Sequence, residues 1–440
     1  MNVVELLSQL IEIRSVNDPI KGIKPGVDCA KYIRDYLVSN GLPADIIRSN
    51  GYYTVYGVIG KGRPIIMFMA HYDTVPVILE EWSYDPFKLT IINGKGFGRG
   101  SADDKGNVAA ILVALSKLKD KVKDFTLIYA FTGDEEVGGA DGAGVLRDKL
   151  LKEGLKPDYV INGDGQGLNV VIRRRCIFRV DLRVKESKVR VKGRKIVKKF
   201  KIRTPVVETR HAAYFIPGID THPLLEASYY QRANNLYVSS IRGAFIKTNV
   251  LPSWVEVEFV EEDPNGDELE VDVALTKLLE SLIPIVRCPI RTELFSEYGV
   301  TITPNYYLYD NGEHVLRIDI RAMTTNIKHI EDALKHVLKN MELNAYLNVK
   351  GGTGYLYTPK ESKLVKTALT ILKELGLKPK TIELLGASDS RYFSPLGIEC
   401  IDIGPIGGNI HGPNEYVELW SLHKLTEFYE KIPIALRKVH

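Results

Sequence analysis

The strongest constraint on the fold is a continuous apolar run inside PIIMFMAHYDTVP, residues 64–76. Such a run is typical of a strand buried on both faces of a sheet that is covered by helices. Two polar residues, His71 and Asp73, follow where the strand ends. Residues two apart on an extended chain face the same side, so the carboxylate can bind one ring nitrogen and leave the other as a basic lone pair. The pair is typical of a histidine that binds metal and is oriented by a carboxylate. It also fits a polar strand end that faces water.

Helix-like and strand-like segments alternate before residue 165. The predicted helices are NVVELLSQLIEI, DCAKYIRDYLVSNG and NVAAILVALSKLKD, and the predicted strands are TVYGVIG, PIIMFMA, FTLIYAFTG and YVING. This alternation predicts an α/β layer sheet. The same pattern resumes near Gly351 with the helix SKLVKTALTILKELG, the strand IECIDIG and a closing helix, LWSLHKLTEFYEKIPIAL.

The 440 residues exceed one ordinary hydrophobic core, so two domains are expected. We predict an α/β domain formed by residues 1–176 and 347–440. Residues 177–346 mix strands and helices without a βαβ rhythm and predict a smaller α+β domain inserted into the first.

Composition excludes several classes of protein. With 45% hydrophobic and 26% charged residues the chain is typical of a globular protein, and its net charge of +4 favours neither nucleic acid nor a membrane surface as partner. The four cysteines form no CxxC motif. The amino-terminal helix carries Glu5 and Glu12 and lacks a basic leader, and no apolar run approaches the roughly 18 residues of a membrane-spanning helix. These features predict a cytoplasmic protein.

One basic stretch, residues 173–203, alternates apolar with positively charged side chains. It fits a solvated antiparallel ribbon whose lysines protect a sheet edge. It also fits a nucleic-acid patch, but only Phe178 and Phe200 interleave aromatic rings, which favours the ribbon.

Further polar side chains follow the other predicted strands. They are Glu135 and Glu136 in GDEEVGG, Asp164 after YVING, His411 in NIHGPNEYV, and Asp103 and Asp104 before a helix in GRGSADDKG. Open α/β sheets bind ligands outside the carboxyl ends of their strands, where these groups collect. Two imidazoles with several carboxylates are a ligand set for zinc or a similar ion. Taken singly, each also fits a solvated loop or a helix N-cap.

Together these motifs resemble a known family. HYDTVP (71–76), GRGSADDKG (98–106), GDEEVGG (133–139), Asp164 and HGPNEY (411–416) are similar, in order and over most of the chain, to the dinuclear-zinc metallohydrolases of the aminoacylase and carboxypeptidase G type. Acetylornithine deacetylase, succinyl-diaminopimelate desuccinylase and cytosolic dipeptidases belong to that family. The resemblance implies a zinc-peptidase-like catalytic domain with a mixed sheet and a ferredoxin-like lid, residues 177–346, through which a homodimer forms.

The resemblance also implies a ligand set for two Zn²⁺ ions, with Co²⁺ or Mn²⁺ as substitutes. His71 and Asp164 would bind one ion, and Glu136 and His411 the other. Asp103 would bridge the two.

Two further residues would act without binding metal. Asp73 would orient the ring of His71, and Glu135 would be the general base that takes a proton from the attacking water. Asp104 would follow Asp103 through a cis peptide bond.

A histidine of the lid would stabilise the oxyanion. The best match is His211 in TRHAAYFIPGID, although its spacing to Pro217 is longer than the family pattern. His222 in THPLL is the alternative.

The resemblance implies three substrate contacts. Asn249 in KTNVLP matches the lid asparagine, and Arg391 in GASDSRYFSP matches an arginine near the substrate carboxylate. The family's second carboxylate-binding arginine is replaced here by Glu262. Arg321 in RIDIRAM is expected to supply that charge instead.

The expected reaction is metal-dependent hydrolysis of an amide bond next to a free carboxylate. The expected substrate is a small molecule, an N-acyl amino acid such as acetylornithine or succinyl-diaminopimelate. A dipeptidase or carboxypeptidase is the alternative, because the DDKG form of the second motif is common among dipeptidases. A non-catalytic binding protein on the same fold is disfavoured, since the ligand set and Glu135 are complete.

Overall fold

The structure, a computed structural model, describes residues 1–19, 21–203, 212, 215–216 and 219–440. The α-helices of this part of the chain are α1 (Val3–Glu12), α2 (Val27–Ser39), α3 (Lys105–Leu118), α4 (Val145–Lys152), α5 (Pro223–Asn234), α6 (Val273–Val286), α7 (Ile327–Asn340), α8 (Lys363–Glu374) and α9 (Leu419–Val439). None of these described helices combines the length and the apolar character needed to cross a bilayer.

The strands follow the same chain order. They are β1 (Asp45–Ser49), β2 (Tyr52–Gly60), β3 (Ile65–His71), β4 (Thr90–Ile92), β5 (Lys95–Phe97), β6 (Thr126–Thr132), β7 (Tyr159–Asn162), β8 (Val170–Arg174), β9 (Cys176–Lys185), β10 (Lys188–Lys201), β11 (Tyr237–Gly243), β12 (Trp254–Glu262), β13 (Asp267–Asp272), β14 (Thr301–Asp310), β15 (Glu313–Ala322), β16 (Tyr346–Gly351), β17 (Leu356–Tyr357), β18 (Thr381–Leu384), β19 (Glu399–Asp402), β20 (Gly407–Gly408) and β21 (Tyr416–Glu418).

The chain forms two compact units. The first comprises residues 1–174 and 355–440, and the second comprises residues 175–354. The second unit ends at residue 354, eight residues beyond the predicted end at 346, because β16 pairs with β9 and so belongs to the second unit.

The first unit is built on a mixed nine-stranded sheet. Its order is β1-β2-β6-β3-β7-β19-β8-β17, with β18 also paired to β8. The central neighbours β6, β3, β7 and β19 run parallel to one another. Every residue of β3 and β6 is buried, as their apolar runs predict.

The register of the parallel strands brings the polar motifs together. His71, the last residue of β3, lies opposite Thr132, the last residue of β6, and Met69 lies opposite Asn162, the last residue of β7. The three strands therefore end at one edge of the sheet. The segments that follow them carry Asp73, the glutamate pair at 135–136, and Asp164.

The second unit is α+β, as predicted. It contains two four-stranded antiparallel sheets, ordered β11-β12-β10-β13 and β14-β15-β9-β16, together with α5, α6 and α7.

Residues 176–201 form antiparallel strands, as predicted, but not one continuous ribbon. The strands β9 and β10 lie in different sheets, and β10 pairs with β13 along its first half and with β12 along its second. Four of the eight cations of β10 pair with acidic side chains of those two neighbours: Lys195 with Glu258 at 2.9 Å, Arg194 with Glu261 at 3.1 Å, Arg190 with Glu268 and Lys188 with Glu270 at 3.6 Å each. These pairs offset the positive charge that phosphate binding would require.

Candidate active site

His71 lies between two acidic groups at the end of β3. Its Nδ1 atom is 3.1 Å from the main-chain oxygen of Asp73 and 3.3 Å from the Oδ1 atom of the same residue. Its Nε2 atom is 3.0 Å from Oδ1 of Asp103. The ring is buried. This geometry leaves Nε2 as the ring nitrogen directed at the carboxylate cluster.

Asp73 is fully buried and accepts hydrogen bonds from three donors. Asn17 donates its side-chain amide at 3.0 Å, and the backbone N–H groups of Glu135 and Glu136 donate at 3.2 Å each. Asp73 therefore fixes both the ring of His71 and the loop that carries the glutamate pair. Sequence reasoning missed Asn17, because it lies 56 residues before Asp73 in no recognisable motif.

Asp103 lies between two imidazoles. Its Oδ1 atom faces His71, while its Oδ2 atom is 3.2 Å from Nε2 of His411. The same nitrogen of His411 is 3.1 Å from Oε1 of Glu136. The peptide between Asp103 and Asp104 is cis, as the resemblance implies. The carboxylate of Asp103 thus contacts both histidines that are predicted to bind metal, His71 and His411.

The donor atoms of this cluster fit a metal centre. Ligands of His71, Asp103 and Glu136 all lie within 4.8 Å of one another. Tetrahedral zinc holds nitrogen and oxygen ligands at about 2.0–2.2 Å, which places neighbouring ligand atoms roughly 3.3 Å apart. The measured separations of 3.0–3.2 Å between imidazole and carboxylate atoms are close to that value.

Asp164 is held by an arginine. Arg174 donates from Nη2 to Oδ1 of Asp164 at 3.0 Å and to its main-chain oxygen, and from Nε to Asp402 at 2.6 Å. One oxygen of the Asp164 carboxylate is therefore positioned by a guanidinium. Sequence reasoning assigned Arg174 to the basic stretch and missed this contact.

Burial and mutual repulsion shift the titration of the carboxylates. Burial, the nearby charge of Asp103 and that of Asp402 raise the pKa of Asp164 to about 7, against the opposing effect of Arg174. Burial and the charge of Asp164 hold the pKa of Glu135 well above its usual range. Burial also opposes ionisation of Asp103, but hydrogen bonds from the two imidazoles outweigh it and hold the pKa of Asp103 well below its usual value.

These shifts predict that the metal-free protein loses stability as pH rises. The pKa of Asp164 is about 7 in the folded chain against an ordinary 3.8, so between these values the folded state holds a proton that the unfolded state has released. The stabilisation that comes from Asp164 is therefore complete below about pH 4 and is lost, by up to a few kcal/mol, as pH rises to about 7. The raised pKa of Glu135 acts in the same direction.

Calorimetry in chelator between about pH 5 and pH 8 measures this slope. Asp164→Asn should flatten it, and added metal should raise the melting temperature most at the upper end. A metal-free protein that melts higher at pH 8 than at pH 5 would contradict the assignment.

Arg391 is the predicted substrate contact in the first unit. Its side chain is buried, its Nη2 atom is 3.9 Å from Oδ1 of Asp389, and its Nε and Nη2 atoms make no hydrogen bond among the described residues. The positive charge of Arg391 works against the burial that raises the pKa of Glu135. A guanidinium with spare donors next to the candidate base suits an anionic substrate group.

Arg321 does not fit its predicted role. It is buried and donates to its neighbour on β15, Asp319, through Nε at 2.7 Å and Nη2 at 3.1 Å. This bidentate pair already neutralises the guanidinium, which leaves Arg391 as the cation better suited to a substrate carboxylate.

The remaining predicted residues are in the second unit. His222 is the N-cap of α5: its Nδ1 atom accepts from the backbone of Leu224, and its Nε2 atom is 3.2 Å from Asn305. Both ring nitrogens are therefore engaged. The main-chain oxygen of Asn249 accepts from the backbone N–H of Ala212 at 2.8 Å. His211 lies outside the described residues.

Comparison with known proteins identifies the family. The chain is 25% identical over 444 aligned positions to a succinyl-diaminopimelate desuccinylase of Stenotrophomonas maltophilia, with 98% of each sequence covered. Its fold resembles that of an aminoacylhistidine dipeptidase from Vibrio alginolyticus (TM-score 0.69, 15% identity, 98% and 96% of the two chains covered). It also resembles an M20 family metallo-carboxypeptidase from Sulfolobus solfataricus (TM-score 0.64, 18% identity, 100% of both chains covered). The profile of Peptidase family M20/M25/M40 matches residues 67–434, so the chain belongs to that family of metallohydrolases.

Proposed function

We propose that this protein is a dinuclear zinc amidohydrolase that removes the acyl group from an N-acyl amino acid. The observation that carries the proposal is the carboxylate of Asp103, whose two oxygens lie 3.0 and 3.2 Å from the Nε2 atoms of two different histidines. The similarity to a desuccinylase along 98% of the chain supports this substrate class.

The proposed ligands divide between two ions. His71 and Asp164 would hold one, Glu136 and His411 would hold the other, and Asp103 would be shared between them. Co²⁺ and Mn²⁺ are the expected substitutes for zinc. When bound, the ions polarise the scissile carbonyl and make a water molecule acidic enough to attack near neutral pH.

The protein's own groups supply orientation and proton transfer. Asp73, itself held by Asn17, accepts a hydrogen bond from the Nδ1–H group of His71, which leaves Nε2 as the ligand atom. Glu135 takes a proton from the attacking water and returns it to the departing amine. Burial raises the pKa of Glu135, and a higher pKa makes its carboxylate a stronger base for this exchange. Arg391 binds the substrate carboxylate.

A dipeptidase or carboxypeptidase is the second candidate. It would use the same groups on a peptide bond next to a free carboxylate, and the DDKG sequence at 103–106 favours it. The binding-protein alternative is weakened, since half of the cations of β10 are paired with glutamates.

Release of free amine from two substrate panels decides between the candidates. One panel holds N-acetyl and N-succinyl amino acids, and the other holds unmodified dipeptides, each with zinc or cobalt supplied. Turnover of the first panel, lost in chelator, is the expected result. Turnover of dipeptides alone would establish the second candidate, and inactivity on both panels with two ions bound would overturn the proposed reaction.

We also propose a homodimer that forms through the second unit and in which His211 donates a hydrogen bond to the reacting oxygen. His211→Ala should then lower kcat far more than it raises KM, because the contact strengthens only in the transition state. His222→Ala is the matched variant and should instead lower the melting temperature, since it removes a helix cap. A change confined to KM in His211→Ala would contradict the assignment.

A further inference from the structure

A buried ion pair lies beside the ligand cluster and has no part in the chemistry above. Nη1 of Arg99 is 2.6 Å from Oε2 of Glu415, and their side chains are 3% and 0% exposed. A buried pair of this kind is weak evidence for stability, because desolvation offsets much of the attraction. A role in positioning is therefore the alternative to consider.

The carboxylate of Glu415 accepts hydrogen bonds from the segment that carries Asp103. Besides Arg99, its Oε2 atom accepts from the backbone N–H of Gly100 at 2.9 Å. Its Oε1 atom accepts from the backbone N–H groups of Ala102 at 2.9 Å and of Asp103 itself at 3.1 Å. One side chain therefore fixes the backbone that presents the bridging carboxylate.

The same pair fixes the segment that carries His411. Nη2 of Arg99 donates to the main-chain oxygen of Gly412 at 3.1 Å, and the main-chain oxygen of Glu415 accepts from the backbone of Gly98 at 3.0 Å. Two segments more than 300 residues apart in sequence are thus joined through these contacts.

The two histidines depend on this junction to different degrees. The side chain of His71 is 3% exposed and follows a buried strand, so the core holds it in place. The side chain of His411 is 50% exposed, on a loop residue with φ of 62°. Its position therefore rests more on the contacts made by its own loop.

We propose that Arg99 and Glu415 are positioning residues that set the distance between Asp103 and His411 and thereby control affinity for the ion held by His411 and Glu136. This inference rests on the proposed function. It predicts that the protein holds the ion at His71 firmly and loses the ion at His411 more easily, and that the buried ion pair controls this difference.

Titration of the metal-free protein with Co²⁺, followed by visible absorption and calorimetry, tests the proposal without substrate. The wild-type chain should bind two ions. Glu415→Gln places an amide N–H₂ opposite backbone N–H donors, and it should weaken binding of the second ion about 10–100-fold and binding of the first ion, which the core holds through His71, much less. Arg99→Lys keeps the charge but lacks the fork that reaches both Glu415 and Gly412, so it should weaken the same step.

The matched control is Asp158→Asn. Asp158 also pairs with an arginine, Arg63, at 2.7 Å and accepts from a backbone N–H, that of Ile65, but at the opposite end of β3 from His71. This variant should keep both binding steps at the wild-type affinity.

Three results would overturn the proposal: two ions bound at wild-type affinity by Glu415→Gln, an equal loss in Asp158→Asn, or failure of both Glu415→Gln and Arg99→Lys to fold. A wild-type chain that binds fewer than two ions would overturn the proposed function as well. The wild-type titration therefore separates the two hypotheses.

Discussion

Glu135→Gln should lower kcat by about 10²–10⁴-fold while both metal ions remain bound. Of the two adjacent glutamates, Glu136 is the one whose Oε1 atom lies 3.1 Å from Nε2 of His411, so the proposal assigns metal binding to Glu136 and proton transfer to Glu135. Glutamine preserves its size but cannot accept the proton of the attacking water. The measurements are kcat on the better of the two substrate panels and the metal content after gel filtration.

The neighbouring glutamate gives the matched control. Glu136→Gln removes an oxygen 3.1 Å from Nε2 of His411 and should lose metal as well as activity. If Glu135→Gln also lost metal, or if it kept more than about a tenth of the wild-type kcat, Glu135 would not be the general base.

Asp103→Ala should lose both ions. Each oxygen of Asp103 faces a different imidazole, at 3.0 and 3.2 Å, so one truncation removes a ligand from both sites. Removing a partner that only orients a ligand typically costs 10–100-fold in metal affinity. The loss of a shared ligand should therefore exceed about 100-fold at each site, measured by Co²⁺ titration.

Asp158→Asn again serves as control and should bind two ions. An Asp103→Ala chain that kept one ion at wild-type affinity would show that Asp103 serves a single site. It would then remove the observation on which the proposed function depends.

The sequence predicted those elements whose pattern is local. Long apolar runs identified β3 and β6, and the helical periodicity of residues 419–436 identified α9. The helix α6 lay unassigned in the long segment before β14. The partners of β10 were not predictable for a different reason: a run of alternating cations does not specify which acidic strands it pairs with.

The candidate site divides in the same way. The predicted ligands follow strand ends within short motifs, whereas Asn17, Arg174 and Glu415 act through contacts that no short pattern encodes. The ion pair of Arg321 could have been predicted. Asp319 precedes it by two residues on the same strand, and the rule that pairs His71 with Asp73 predicts that ion pair as well.

The way in which the second unit joins the first has a consequence for protein engineering. The chain leaves the first unit after Arg174 and re-enters it at Tyr355, and Leu356 of β17 lies opposite Arg174 of β8. The insertion thus begins and ends on adjacent antiparallel strands. We expect that a different domain could be inserted between these two strands, since its two ends would need to be no farther apart than the ends of a hairpin loop. Every proposed metal ligand and the candidate base lie on the retained side. Because Arg174 also holds Asp164, such a chimera must keep this arginine to retain the proposed metal site.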